Sequence, residues 1–206
     1  MNHPISAFGK VLKSLGFQKR TSNLFYIENK DAFCFIYMEC PTIGVHINFG
    51  VLPVYLPPKG FYMNYGWRLE SRYSLFRFVR KDDSDDTIMR YCDELKKIVC
   101  NDLLPLIHSL STAEEIMNYF KNNGYLKNNG YLAAYTKLYL QQFTEAKETA
   151  ESYLFWLSTA AYTQKSKDEL RMEMEKIIYY STEGKECVEK VFADWRLENS
   201  SIFRRA

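Results

Sequence analysis

The strongest hydrophobic pattern in this chain lies between residues 24 and 52 and predicts three consecutive strands at 24–27, 32–39 and 43–52. Short breaks between them have the length of hairpin turns, so we expect an antiparallel meander. The third strand alternates between apolar and small or polar positions, which is typical of a half-buried strand. Its apolar face comprises Ile43, Val45, Ile47, Phe49 and Val51, and its other face comprises Gly44, His46, Asn48 and Gly50. The apolar face needs a covering layer.

A helix that precedes the meander can supply this cover. Its apolar positions recur at helical spacing after Pro4, and Gly16 stands where a C-terminal cap is expected. These positions are Ile5, Phe8, Val11, Leu12 and Leu15. The strand at 32–39 is apolar on both faces, so we expect it at the centre of the sheet with a second layer on its other side.

The pattern then becomes irregular and finally helical. Prolines predict a crossing loop at 51–65, followed by strand-like segments at 65–69 and 73–79. Aspartates between 82 and 86 precede a strongly amphipathic helix, and we interpret them as N-terminal helix charges rather than as a metal site. Pro105 should bend or end that helix.

All segments after residue 110 are interpreted as helical. We predict capping boxes at 111–114 and 166–169, and a helical hairpin that breaks near 142–144. A last helix around 183–197 should be followed by a frayed terminus at 200–206. The hexapeptide Lys-Asn-Asn-Gly-Tyr-Leu occurs twice in tandem over 121–132 and is interpreted as a local duplication in a turn.

These elements predict an α+β fold. An antiparallel sheet of four or five strands would be packed by the N-terminal and central helices and followed by an all-helical C-terminal extension. We place the sheet domain at 1–110 and the helical region at 111–206.

Composition narrows the class of protein. An apolar content of 47% is ample for a core, and the five cysteines, odd in number and without a CxxC pair, are predicted to be reduced thiols. Neither a secretory leader pattern nor an apolar run of transmembrane length is present in the sequence, so we expect a cytoplasmic protein without a membrane partner. A net charge of +2, evenly spread, argues against nucleic acid as a partner.

Several segments together resemble a bacterial family, domain of unknown function 4304, over about residues 5–125. The segments are Leu-Lys-Ser-Leu-Gly-Phe at 12–17, Phe25-Tyr26, Trp67-Arg68 and Leu-Leu-Pro-Leu-Ile at 103–107 before Ser111. The resemblance implies an α+β domain whose antiparallel sheet continues into a helical C-terminal part. It implies no catalytic residues.

The sequence carries no motif with defined catalytic mechanics, so we predict no catalytic residue, no metal site and no cofactor. His3, His46 and His108 lack a second ligand at metal-binding spacing. Carboxylate pairs at 114–115 and at 173 and 175 are interpreted as solvated helix faces.

Arginines that recur among aromatic residues after the proline-rich loop form the most unusual constellation. Guanidinium groups stacked on rings bind carboxylates, phosphates and acidic protein surfaces. The competing interpretation is structural: the arginines cover the sheet with their stems and pair with Glu70 or with the Asp82 cluster. The candidate ligand- or partner-binding residues are His46, Tyr62, Trp67, Arg68, Arg72 and Tyr73.

Two functions are compatible with this pattern. The first is a non-catalytic interaction module for a protein partner with an acidic surface, with an immunity-like or accessory role by analogy. The second is a small-ligand protein or enzyme with a pocket between the loop at 51–65 and the sheet. That pocket would be lined by His46, Tyr62, Trp67 and Arg68. Either function is compatible with a homodimer.

Overall fold

The structure of the protein is a computed structural model that describes residues 4–58, 65–73, 79–123 and 130–204. The chain forms two compact units. Within the described residues, the first unit comprises 4–53, the parts of 65–111, and 201–204, and the second comprises 54–58 and the parts of 112–200.

Among the described residues, an antiparallel sheet of six strands forms the centre of the first unit. The strands are β1 (Gln18–Lys19), β2 (Leu24–Glu28), β3 (Ala32–Glu39), β4 (Gly44–Pro53), β5 (Gly66–Arg68) and β6 (Val79–Arg80). Their order is β1-β2-β3-β4-β5, and β6 also pairs with β4. The predicted meander and the predicted α+β class are therefore confirmed.

Helices flank this sheet in the sequence. They are α1 (Pro4–Ser14), α2 (Leu69–Arg72), α3 (Asp85–Ile98) and α4 (Leu104–His108), with a π-helical turn at Val99–Leu103. The α3 helix begins where Ser84 accepts a hydrogen bond from the Thr87 backbone N–H, and Asp85 and Asp86 occupy its first turn. The predicted helix is confirmed, although a serine rather than an aspartate is its N-cap. The change to π-helical pairing lies just before Pro105, which lacks a backbone donor.

Both faces of the sheet are covered. On one face, register aligns Phe25, Ile36, Phe49 and Trp67 in a row across β2 to β5, and α1 packs against this row at Phe25. On the other face, the Phe203 ring stacks on the Phe33 ring with centroids 4.5 Å apart and an interplanar angle of 9°. The expected second layer is therefore present in the first unit.

Phe203 corrects the expectation that the terminus frays from residue 200. The last helix continues to Phe203, whose side chain is 1% exposed. Arg204 then pairs with Glu28. A buried aromatic ring stabilises this end of the last helix. The periodicity did not predict its burial, because most residues around it are polar.

The alternation assigned to β4 holds for four of its five apolar positions. Val45, Ile47, Phe49 and Val51 are buried, whereas Ile43 is 63% exposed and precedes the strand, which begins at Gly44. The opposite face is not solvated, since Asn48 is buried and donates to the Tyr37 carbonyl. The half-buried assignment was therefore wrong, since Gly44, Asn48 and Gly50 on that face are all buried.

The described part of the second unit is mostly helical. Its helices are α5 (Ala113–Asn122), α6 (Gly130–Tyr139), α7 (Phe143–Thr159), α8 (Gln164–Glu183) and α9 (Lys185–Phe203), of which residues 201–203 belong to the first unit. The predicted hairpin is confirmed as α6 and α7, and positive φ at Gln141 marks the turn. Half of the hexapeptide repeat, residues 124–129, lies outside the described residues.

Both predicted capping boxes were misplaced. The α5 box pairs Thr112 with Glu115, one residue later than expected, and α8 begins after Thr163, three residues earlier than expected. In each case a threonine, rather than the predicted serine, accepts a hydrogen bond from the backbone N–H three residues later. Neighbouring hydroxyl residues are chemically equivalent caps, so sequence alone does not rank them.

Buried polar contacts hold the second unit together around the segment 54–58. Tyr55 stacks on Tyr139 with centroids 4.7 Å apart, and Asn199 donates to the carbonyls of Val54 and Leu56 at 3.0 and 2.8 Å. Glu173 accepts from the Tyr135 hydroxyl at 2.6 Å. Glu173 is buried, so its assignment to a solvated face was wrong.

We expect Phe49→Ala to lower the free energy of unfolding by about 3–5 kcal/mol, the usual cost of removing a buried ring. Phe49 is fully buried and contacts the Trp67 ring. Ile43→Ala is the matched control, because Ile43 belongs to the same sequence pattern but is exposed. Denaturant melts that show a loss below about 1 kcal/mol for Phe49→Ala, or equal losses for both variants, would contradict the assigned core.

Candidate functional site

The short segment formed by β5 and α2 carries most of the candidate side chains. It is anchored by pairing of β5 with β4, in which Trp67 lies opposite Phe49 and Gly66 lies opposite Gly50. The Phe49 and Trp67 ring centroids are 4.8 Å apart. A side chain at Gly66 would collide with the Phe49 carbonyl, so glycine is required for this approach. The Trp67 ring is therefore held on the sheet core.

Arg72, on the last turn of α2, lies over this ring. Its guanidinium carbon is 4.4 Å from the Trp67 ring centroid, within the range of a cation–π interaction. Trp67 is partly buried and Arg72 is exposed. The stack therefore joins a core-packed ring to an exposed cation.

Glu70 connects α2 to the edge of β4. On that edge β6 pairs with Gly44 and Val45, and β5 pairs with residues 48–50, so no described strand pairs with residues 46 and 47. One Glu70 carboxylate oxygen fills this gap: it accepts the Ile47 backbone N–H at 3.3 Å and lies 3.1 Å from His46 Nδ1. A carboxylate thus replaces a missing strand neighbour.

Arg68 forms a separate pair with Glu39. Arg68 Nη2 lies 2.7 Å from Glu39 Oε2, and the two side chains are 49% and 46% exposed. Register places Glu39 opposite His46 and Arg68 opposite Asn48, and His46 and Asn48 share one face of β4. Trp67, adjacent to Arg68 on its strand, points to the other face.

The five sequence candidates that the structure describes are thus divided among separate contacts. The structure brings Arg72 to Trp67 and places His46 beside Glu70, while Arg68 turns to Glu39. Tyr73 is partly buried and caps α2 through its backbone N–H. Tyr62 lies outside the described residues. Arg80 lies 4.0 Å from Asp82, as the structural interpretation expected of that cluster.

Glu39 and Glu70 are the residues at this site that sequence reasoning misjudged. Glu70 was considered only as a partner for arginine, but it pairs with His46, a residue that had no visible partner in the sequence. Glu39 was not considered. Glu39 lies on β3 and Arg68 on β5, with β4 between them, so no pattern in the sequence signals their pairing.

Two buried polar atoms at this segment have no hydrogen-bond partner within the described residues. They are Trp67 Nε1, a donor, and Glu70 Oε2, an acceptor. An unmade hydrogen bond on a buried group costs about 1–3 kcal/mol. The segment therefore holds one buried donor and one buried acceptor that no described group satisfies.

Other chemistry near the sheet is limited. Burial raises the pKa of Cys34 to about 12, and burial also raises the pKa of Cys40 and of Cys92, so these thiols stay protonated at neutral pH. In the part of the chain that the structure describes, no group of three His, Cys, Asp or Glu side chains could hold a metal ion. The helices described here include none with the length and apolar character needed to cross a bilayer.

No family model, curated protein or solved structure matches this chain. The resemblance to domain of unknown function 4304 therefore stays a prediction. The function is therefore inferred from the site itself.

We expect Glu70→Ala to destabilise the protein by about 1–3 kcal/mol, because it leaves the Ile47 N–H and His46 without their carboxylate. Glu39→Ala is the matched control: it removes a carboxylate from an exposed ion pair worth about 0–1 kcal/mol. Equal unfolding free energies for Glu70→Ala and the wild type would show that Glu70 does not hold α2 on β4.

Proposed function

We propose that this chain is a bacterial, cytoplasmic interaction module without catalytic activity, which recognises an acidic group on a protein partner through Arg72. The observation that supports this most directly is the stacking of Arg72 on Trp67 at 4.4 Å. An immunity-like or accessory role is the biological setting that we propose for such a module. Neither nucleic acid nor a membrane is a partner in this proposal.

Stacking supports recognition through its effect on the ordering cost. A free arginine loses about 2 kcal/mol of rotamer entropy when its fork is fixed. The guanidinium of Arg72 already lies over a ring that packs on fully buried Phe49. A carboxylate that binds two guanidinium N–H groups therefore meets a fork that is largely oriented beforehand.

Side-chain exposure distinguishes an arginine that recognises a partner from one that only covers the sheet. An arginine that only covers the sheet contributes its apolar stem, and its charged group stays in water. Arg68 pairs with Glu39, and we assign it to the structural role. Arg72 combines an exposed position with an oriented guanidinium plane, and it is the residue that we assign to partner recognition.

The test is binding of a labelled hexapeptide of alternating Asp and Glu, with the corresponding Asn and Gln peptide as its uncharged control. We expect Arg72→Ala to weaken acidic-peptide binding about tenfold or more, the loss of a charge-assisted hydrogen bond of about 1.5–3 kcal/mol. Arg72→Lys should also weaken it, because lysine keeps the charge but lacks the planar fork. Fluorescence anisotropy at physiological salt measures both.

Arg80→Ala is the matched control. Arg80 is an exposed arginine of the same unit, on β6, which pairs with the same edge of β4 as β5 does. It should bind the acidic peptide like the wild type. The melting temperature of Arg72→Ala should stay within about 2 °C of the wild type, as expected for a surface substitution. Unchanged peptide binding by Arg72→Ala, or unfolding of that variant, would contradict the proposal.

A second function, small-ligand binding or catalysis, is favoured by the His46–Glu70 pair. An imidazole held 3.1 Å from a carboxylate that is only 15% exposed is an arrangement used in acid–base chemistry. Glu70 also has the buried oxygen without a described partner. The peptide assay separates the two functions, since unchanged acidic-peptide binding in Arg72→Ala would remove the support for partner recognition and leave the His46–Glu70 pair as the candidate site.

A further inference from the structure

A cavity of about 540 Å³ lies between α1 and the β1–β2 hairpin of the first unit, away from the Arg72 site. Its polar lining consists of Lys10 and Lys13 on α1, Lys19 on β1, and the hydroxyls of Ser6 and Ser22. The volume falls in the range of about 300–1,000 Å³ that small-molecule sites occupy.

The charge around this cavity has one sign. The first 27 residues contain no Asp or Glu, and the cavity lining contains no carboxylate. Lys10, Lys13 and Lys19 are exposed and form no ion pair within the described residues. The helix dipole favours Lys13 in the last turn of α1, but it explains neither Lys10 nor Lys19. Clustered ammonium groups repel one another, so an anion between them would be stabilised.

The cavity floor is apolar and closely packed. Gly9 and Phe25 are buried, and a Cβ atom at residue 9 would lie 2.7 Å from Phe25 Cζ. Any larger residue at position 9 would force either the Phe25 ring or α1 to move. The glycine keeps the helix close, which fixes Lys10 and Ser6 beside the hairpin and leaves the Phe25 ring as part of the lining.

We infer that this cavity binds the phosphate group of a small phosphorylated molecule. Phosphate carries two charges near neutral pH and offers several acceptor oxygens, which suits ammonium and hydroxyl donors converging from different elements. A planar carboxylate is matched better by an arginine fork, and none of the described residues that line this cavity is an arginine. The carbon part of the molecule would contact Ile5 and Phe25. This site is independent of the acidic-partner site.

The experiment is calorimetric titration with inorganic phosphate and with glucose 6-phosphate, beside glucose as the uncharged probe. We expect saturable binding of both phosphates and none of glucose. The triple variant Lys10→Ala, Lys13→Ala, Lys19→Ala should bind at least about tenfold more weakly, since three charged donors are lost. Ser6→Phe should weaken binding without changing the charge, because it fills the cavity.

The matched control is Lys147→Ala, Lys165→Ala, Lys190→Ala, which removes the same charge from three exposed lysines elsewhere on the chain. It should bind like the wild type. Equal weakening in both triple variants would show a general charge effect and overturn the site, as would absence of saturable binding to the wild type in every arm.

Vesicles containing phosphatidylglycerol form the last arm. Binding to them through the same three lysines, without binding of soluble phosphates, would support the phosphate site and assign the phosphate to a lipid headgroup.

Discussion

The edge of β4 is the constraint on which the rest of the first unit depends. Between β5 and β6 no described strand covers His46 and Ile47, and a sheet that leaves a backbone N–H unpaired in a buried region is destabilised. The Glu70 carboxylate satisfies the Ile47 N–H and contacts His46, so α2 is held against this edge by a side chain rather than by a strand.

The proposed binding site depends on two further residues, Arg72 and Trp67. Arg72 lies on the helix that Glu70 anchors, and Trp67 lies on the strand that leads into it, so the stack between them is built on two separate attachments to β4. An oriented, exposed guanidinium is useful for recognising an acidic group, whereas a mobile one is costly to order. Stability of the edge and readiness of the site therefore come from the same short segment.

Sequence patterns predicted the architecture well and the site only in part. Period-2 alternation placed β4, a continuous apolar run placed β3, and helical spacing placed α1 and α3, because these patterns are local in the sequence. The partners of His46 and Arg68 were not foreseen, since Glu70 is 24 residues and Glu39 is 29 residues away in sequence. The same limit applies to Phe203, whose ring covers a strand that begins 171 positions earlier at Ala32. Contacts that depend on tertiary register leave no local signature.

The most direct test of the account is the indole N–H resonance of Trp67 in the ¹⁵N-labelled protein, which contains three tryptophans. A Trp67→Phe variant assigns the resonance. We expect titration with the acidic hexapeptide to shift the Trp67 signal saturably while Trp156 and Trp195 stay in place, and to shift nothing in Arg72→Ala. A Trp67 resonance that does not respond to the peptide, or that responds equally without Arg72, would contradict recognition by the stacked pair.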